Sequence, residues 1–178
     1  MEVDRGQART AADRLLAGYD EGVAAVYAYL RRRVPSQDLA EDLTAETFLA
    51  AAASVSHHPR DEPGSISVGW LVGIARHKLV DHWRRASREE RTLTVLGNEP
   101  DRPEDPWEAA LDRVRAERVL AQLPTQHRAV LTLRYLDDLA VREVAQLLGR
   151  TEHATEALLV RARRRFRSAY DVSAEEGG

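Results

Sequence analysis

Near its C-terminus the chain carries RARRRFR, residues 161–167, five arginines within seven positions. A guanidinium stays charged at any ordinary pH and presents a planar fork of donors, so such a cluster suits phosphate oxygens or guanine edges. The preference runs through the whole chain: of 26 basic residues only Lys78 is a lysine. Upstream of the cluster, Ala145 and Gly149 have the spacing of a helix-turn-helix. That motif needs a small residue where its helices cross and one able to take left-handed dihedrals at the turn. Val144, Leu148 and Leu158 would fill the inner side, leaving the N-terminal half of the second helix to enter a major groove. A plain helical hairpin fits the same pattern, but the basic run beside it favours DNA.

Covalent chemistry finds little support. His57 and His58 are adjacent in a turn-rich stretch, and His77 and His82 are five apart, which does not place them on one helical face. There is no HExxH, glycine-rich phosphate loop or GxSxG. Cysteine is absent, which excludes disulfides, thiolate metal sites and a cysteine nucleophile. The expectation is a protein that is not an enzyme and has no cofactor, metal or small-molecule substrate.

The elements that must position these residues read as helices, so the expected fold class is all-α. Val23, Val26, Tyr27 and Leu30 share one face of a first helix, which ends in Arg31, Arg32 and Arg33 before Pro35. Ser36 can cap a second helix, with Ala45, Phe48, Leu49 and Ala52 as its apolar stripe and Glu41, Asp42 and Glu46 opposite. Residues 56–67, SHHPRDEPGSIS, read as a loop. Leu71, Ala75, Leu79 and Trp83 form an i+4 row on a third helix, with Arg76, Lys78, Arg84 and Arg85 on its other sides. Trp83 belongs to the core on this spacing. Trp107, Ala110, Leu111 and Val114 begin a further helix, and Pro124 begins the next, where Val130, Leu131 and Tyr135 can face a core. Residues 141–148 form a short helix, 149–152 a turn, and 153 to about 170 a longer helix with Ala154, Leu158, Ala162 and Phe166 in one row.

The 178 residues suffice for one large or two small domains, and 43% hydrophobic with 31% charged residues is an ordinary globular balance. The net charge of −3 hides a pattern: −4 over residues 1–73, +3 over 74–91, −4 over 92–110, +5 over 111–170 and −3 in the tail. Two basic blocks around an acidic connector offer two places for a polyanion. No stretch approaches the roughly 20 apolar residues of a membrane span, and the charged N-terminus lacks a signal-peptide core, so a cytoplasmic protein without direct membrane insertion is expected.

Four motifs in this order resemble the extracytoplasmic-function (ECF) sigma factors of bacterial RNA polymerase, members of the sigma-70 family. AEDLTAETFLAA (40–51) and WLVGIARHKLVDHWRR (70–85) resemble sigma region 2. LAQLPTQHRAVLTLRYLDDLAVREVAQLLGR (120–150) and LLVRARRRF (158–166) resemble region 4. The resemblance spans about residues 12–170. It implies a disordered N-terminus (1–11), a region 2 helical bundle (12–91), a flexible acidic linker (92–106), a region 4 helix-turn-helix (107–170) and a disordered tail (171–178). In function it implies a transcription initiation factor that binds core polymerase, recognises −10 and −35 promoter elements and helps to melt the duplex. The linker would thread towards the RNA exit path.

By the same resemblance, Arg31, Arg32, Arg33, Asp38, Glu41, Asp42 and Glu46 would dock on the β′ clamp helices, with the β flap as a second polymerase contact. Single-stranded −10 DNA would meet His57, His58, Arg60, Ser65, Arg76, Lys78, Arg84 and Arg85, with Trp70 as a further stacking surface. The −35 duplex would meet Arg134, His153, Glu156, Ala157, Val160, Arg161 and Arg164, with Arg163 and Arg165 near phosphates. An anti-sigma factor is the remaining implied partner. Two departures stand out. His153, Ala154, Thr155 and Glu156 replace the family's usual glycine, small or β-branched pair and basic residue; Ala45 stands where glutamine is common. A glutamate cannot bind phosphate and in the groove prefers a cytosine amino group. The rival reading is a stand-alone helix-turn-helix regulator with an N-terminal interaction domain.

Overall fold

The computed structural model describes residues 19–57, 67–93 and 113–175, and among them every regular element is helical, as the apolar periodicity requires. The chain divides into two units between Leu79 and Val80, inside the third helix.

In the first unit, α1 (Tyr19–Arg31) and α2 (Gln37–His57) pack on each other. α3 (Val68–Leu93) begins here and continues into the second unit. Hydroxyls set both helix starts. Ser36 Oγ accepts from the Leu39 N–H at 3.3 Å and Ser67 Oγ from the Trp70 N–H at 3.1 Å, filling orphan donors of the first turns. Val26 and Leu30 are fully buried, and at Gly22 a Cβ would come within 2.7 Å of Leu71 Cδ1. Glycine is what allows that approach.

The buried face of α2 differs from the expected stripe. Ala45 and Ala52 are exposed, Phe48 is half-buried and Leu49 is 72% exposed, whereas Ala40, Leu43, Thr44, Thr47 and Ala51 turn inward. Both threonines bond back along the helix, Thr44 Oγ1 to the Ala40 carbonyl at 2.6 Å and Thr47 Oγ1 to the Leu43 carbonyl at 2.7 Å. With the hydroxyls satisfied, the threonine methyls serve as core, avoiding the penalty of about 1–3 kcal/mol for an unpaired buried group. The helix also runs further than expected, taking in Ser56 and His57; residues 58–66 lie outside the described part.

The i+4 row of α3 is buried as expected, Leu71, Ala75 and Leu79 in the first unit and Trp83 in the second. Thr92 and Leu93, expected to open the linker, still belong to this helix; residues 94–112, with Trp107, Ala110 and Leu111, are outside the described part.

In the second unit α4 (Arg113–Gln122), α5 (Thr125–Leu131) and α6 (Val141–Leu148) all pack against the long α7 (Glu152–Glu175). Val114 is 64% exposed, not core; α4 is anchored instead by Val119 and Leu120. Arg115 contributes by lying over the Tyr170 ring at 3.7 Å. Pro124 is the cap before α5, where its missing N–H costs nothing.

After α5 the chain widens into one π-helical turn, Thr132–Leu136, closed by the Asp137 N–H on the Thr132 carbonyl at 3.0 Å. The extra residue in that turn rotates the side chains beyond it. Val130, Leu131 and Leu133 are buried, but Tyr135 is 45% exposed, contrary to the expectation that it faces the core. The last helix passes the expected end near residue 170 and runs to Glu175, so residues 171–175 are helical and not a loose tail. Phe166 and Tyr170 stack at 5.8 Å in its final turns.

Candidate nucleic-acid interface

α6 ends at Gly149 with φ 64° and ψ 40°, left-handed dihedrals that a Cβ penalises. The Gly149 N–H donates to the Gln146 carbonyl at 3.2 Å and the Arg150 N–H to the Ala145 carbonyl at 2.9 Å, a Schellman closure. Thr151 then starts α7: its Oγ1 accepts from the Ala154 N–H at 3.1 Å, and its carbonyl accepts from Thr155 Oγ1 at 2.9 Å. At the other end of α6, Glu143 Oε2 accepts from the Ala140 N–H at 2.8 Å, holding the first turn where alanine has no capping oxygen of its own. Val144, Ala145 and Leu158 are buried at the crossing. The two helices are thereby fixed at a turn of only three residues.

This geometry gives α7 two unlike faces. Thr155, Leu158, Leu159, Ala162 and Phe166 are buried, while His153, Glu156, Arg161 and Arg164 are exposed and Ala157 and Val160 half-buried between them. Six of the seven −35 candidates therefore share one side of one helix. Arg165 and Arg167 are exposed beyond them, and Arg163 Nη1 donates to the Tyr135 hydroxyl at 3.2 Å. The seventh candidate, Arg134, sits in the π-helical turn, half-buried, with Nη1 at 3.3 Å from the Leu139 carbonyl and 3.6 Å from Asp138.

Matches to known proteins agree with this arrangement. The family model for Sigma-70 region 2 matches residues 19–89, and that for Sigma-70, region 4 matches residues 113–166. The chain is 31% identical over 168 residues to the ECF RNA polymerase sigma factor SigL of Mycobacterium tuberculosis, covering 91% of this chain and 92% of SigL. The chain belongs to the ECF sigma factors. Members of this family direct RNA polymerase to promoters. The ECF RNA polymerase sigma factor BldN of Streptomyces coelicolor is 36% identical over 164 residues; the match takes in 90% of this chain but 61% of BldN. In fold, this sigma factor resembles the sigma factor RpoE of Bartonella quintana, solved in complex with the anti-sigma factor NepR. The TM-score is 0.52 at 22% identity, over 90% of this chain and 96% of that one.

The other two sets of candidates in the sigma factor are less uniform. Arg31, Arg32, Asp38, Glu41 and Asp42 are exposed on either side of the α1–α2 turn. Arg33 turns back, its guanidinium 3.7 Å above the Tyr29 ring and donating to the Tyr29 carbonyl at 2.8 Å. Glu46 lies 3.8 Å from Lys78, so a residue expected at the polymerase is paired with one expected at DNA. Arg76 is half-buried and Arg85 exposed. Arg84 Nη2 donates to the Leu147 carbonyl in the last turn of α6. Trp70 is half-buried; His58, Arg60, Ser65 and the side chain of His57 lie outside the described residues.

The structure adds residues that local pattern did not single out. Thr151 orients the first turn of α7, and a threonine just ahead of an apolar-periodic helix is a readable cap signal. Glu90 accepts from the Thr125 N–H at 3.2 Å and from the Thr125 hydroxyl. Burial pushes the Arg128 guanidinium below its ordinary value, with Glu90 pulling the other way. Nothing in the local sequence links Glu90 to residues 35 or more positions away. Among the described residues no helix is long and apolar enough to cross a membrane.

Proposed function

We propose that this sigma factor binds core RNA polymerase through the α1–α2 surface and reads the −35 element with the exposed face of α7. It would hold the single-stranded −10 element along α3 and work in the cytoplasm without covalent chemistry of its own. The observation that carries the reading is the helix-turn-helix: a capped, Schellman-closed turn that leaves His153, Glu156, Arg161 and Arg164 on one open face. Acidic Asp38, Glu41 and Asp42 suit a basic docking helix on the polymerase, and Arg76, Lys78 and Arg85 suit the phosphates of an opened strand. The β flap and an anti-sigma factor are the further partners that family membership suggests.

Run-off transcription tests this reading. The purified chain, added to core enzyme on a library of promoter fragments, should give discrete start sites preceded by common elements about two helical turns apart. Failure to bind core enzyme, with sequence-specific duplex binding retained, would transfer the protein to the stand-alone regulators.

A further inference from the structure

The π-helical turn does more than move Tyr135 out of the core. It brings the phenol to the flank of α7, where the hydroxyl accepts from Arg163 Nη1 at 3.2 Å while the residue stays 45% exposed. The Arg134 guanidinium, from the same turn, lies 5.7 Å from the centre of the ring. Two cations from different elements thus converge on one exposed phenol, and single turns of π-helix occur often at functional sites. Arg163 is half-buried and comes seven positions after Glu156, two turns further along the same side of α7. It stands where the open face meets the buried underside. A helix in the major groove turns its open face to base edges, and what flanks the helix meets the sugar-phosphate backbone. By its place, the Tyr135–Arg163 pair faces a backbone.

We propose that Tyr135 is a further −35 contact: its hydroxyl, oriented by Arg163, donates to one phosphate of the duplex, to which Arg163 donates as well. The inference rests on the −35 reading given above and adds to it a residue from outside α7. A phenol accepts through a lone pair and donates through its hydrogen, so the bond from Arg163 orients the hydroxyl without using its donor. A guanidinium carries five N–H groups, of which that bond engages one. Side by side the two residues offer a phosphate a forked contact, one arm of it charged. Such a contact fixes the register of α7 in the groove and carries no sequence information, so base choice stays with the open face of the helix.

The test is holoenzyme binding to promoter duplexes that carry one uncharged methylphosphonate linkage at a time around the −35 element. Tyr135→Phe keeps the ring and removes only the hydroxyl. It should weaken binding about tenfold, the loss of one hydrogen bond to a charged group, and by the same factor on promoters varied at each −35 position. One linkage should cost the parent about tenfold more than it costs Tyr135→Phe. Arg163→Ala should lose sensitivity to that same linkage and flatten the salt slope by about 0.9, and in its background Tyr135→Phe should add little. Equal sensitivity of parent and Tyr135→Phe at every linkage, or a loss confined to one base pair, overturns the contact and leaves the promoter reading standing. So does a fall in Tm for Tyr135→Phe with unchanged binding, which would make the Arg163–Tyr135 bond a matter of stability. A parent holoenzyme with no promoter preference overturns the promoter reading, and the contact with it.

Discussion

Glu156 is the residue at which the face of α7 proposed to read DNA departs most from a basic surface. It is exposed in line with His153 and Arg161, on the face that the buried underside of α7 leaves open. A carboxylate there repels phosphate and accepts from a cytosine amino group, whereas arginine at the same place donates to guanine. Glu156→Arg should therefore move the preferred base pair at one position of the −35 element from C to G, by about 1–3 kcal/mol of discrimination. Run-off yields on a set of promoters varied at each position would show it, and unchanged yields would mean that the helix does not read DNA at this point. Gly149 is the second telling residue. Its φ of 64° strains any residue that carries a Cβ, whereas the Arg84 guanidinium, 3.4 Å from the missing Cβ, stands at ordinary contact distance. Gly149→Ala should cost roughly 1–2 kcal/mol from the left-handed backbone alone, seen as a lower denaturation midpoint.

Among the elements, α7 depends on how it starts. Removing the Thr151 oxygen that accepts from the Ala154 N–H leaves an orphan donor in the first turn, next to His153 and Glu156. Thr151→Ala should cost about 1 kcal/mol, a fall of about 2–4 °C in Tm for a chain of this size. Promoter binding should weaken with it, while Thr151→Ser retains both. The elements also show how much was legible in the sequence. The i+4 row of α3 and the residues 141–148 followed by a left-handed glycine could be read directly, because apolar spacing and a glycine requirement are local. The stripe of α2 could not. Thr44 and Thr47 enter the core only because their hydroxyls bond back one turn, a condition that periodicity does not encode, and Leu49 is left outside. Tyr135 escapes its expected place for another reason: a π-helical turn adds a residue, so i+4 from Leu131 no longer returns to the same face. The −35 candidates come from the family motif and six of the seven fall on one face of α7, Arg134 lying apart in the π-helical turn, whereas the Glu90–Thr125 tie joins distant segments and leaves no trace in local pattern.

At the scale of the molecule, charge is distributed against any general attraction to DNA. The chain is −3 overall, so binding must rest on the local +5 of residues 111–170 and not on a long-range field. Each phosphate neutralised by an arginine releases counterions, and log K falls against log salt with a slope of about −0.9 per contact on duplex DNA. Arg161 and Arg164 are exposed one turn apart, so if both sit at phosphates, Arg161→Ala with Arg164→Ala should flatten that slope by about 1.8. The measurement is holoenzyme binding to one promoter between low and moderate salt, parent beside double variant, so that the polymerase's own contacts cancel. Arg165 and Arg167 lie further along α7 and supply a comparison pair. A flatter slope for the first pair alone places the groove over the N-terminal part of α7. Equal flattening for both pairs would mean that DNA runs along the whole helix, and an unchanged slope would remove these arginines from the interface.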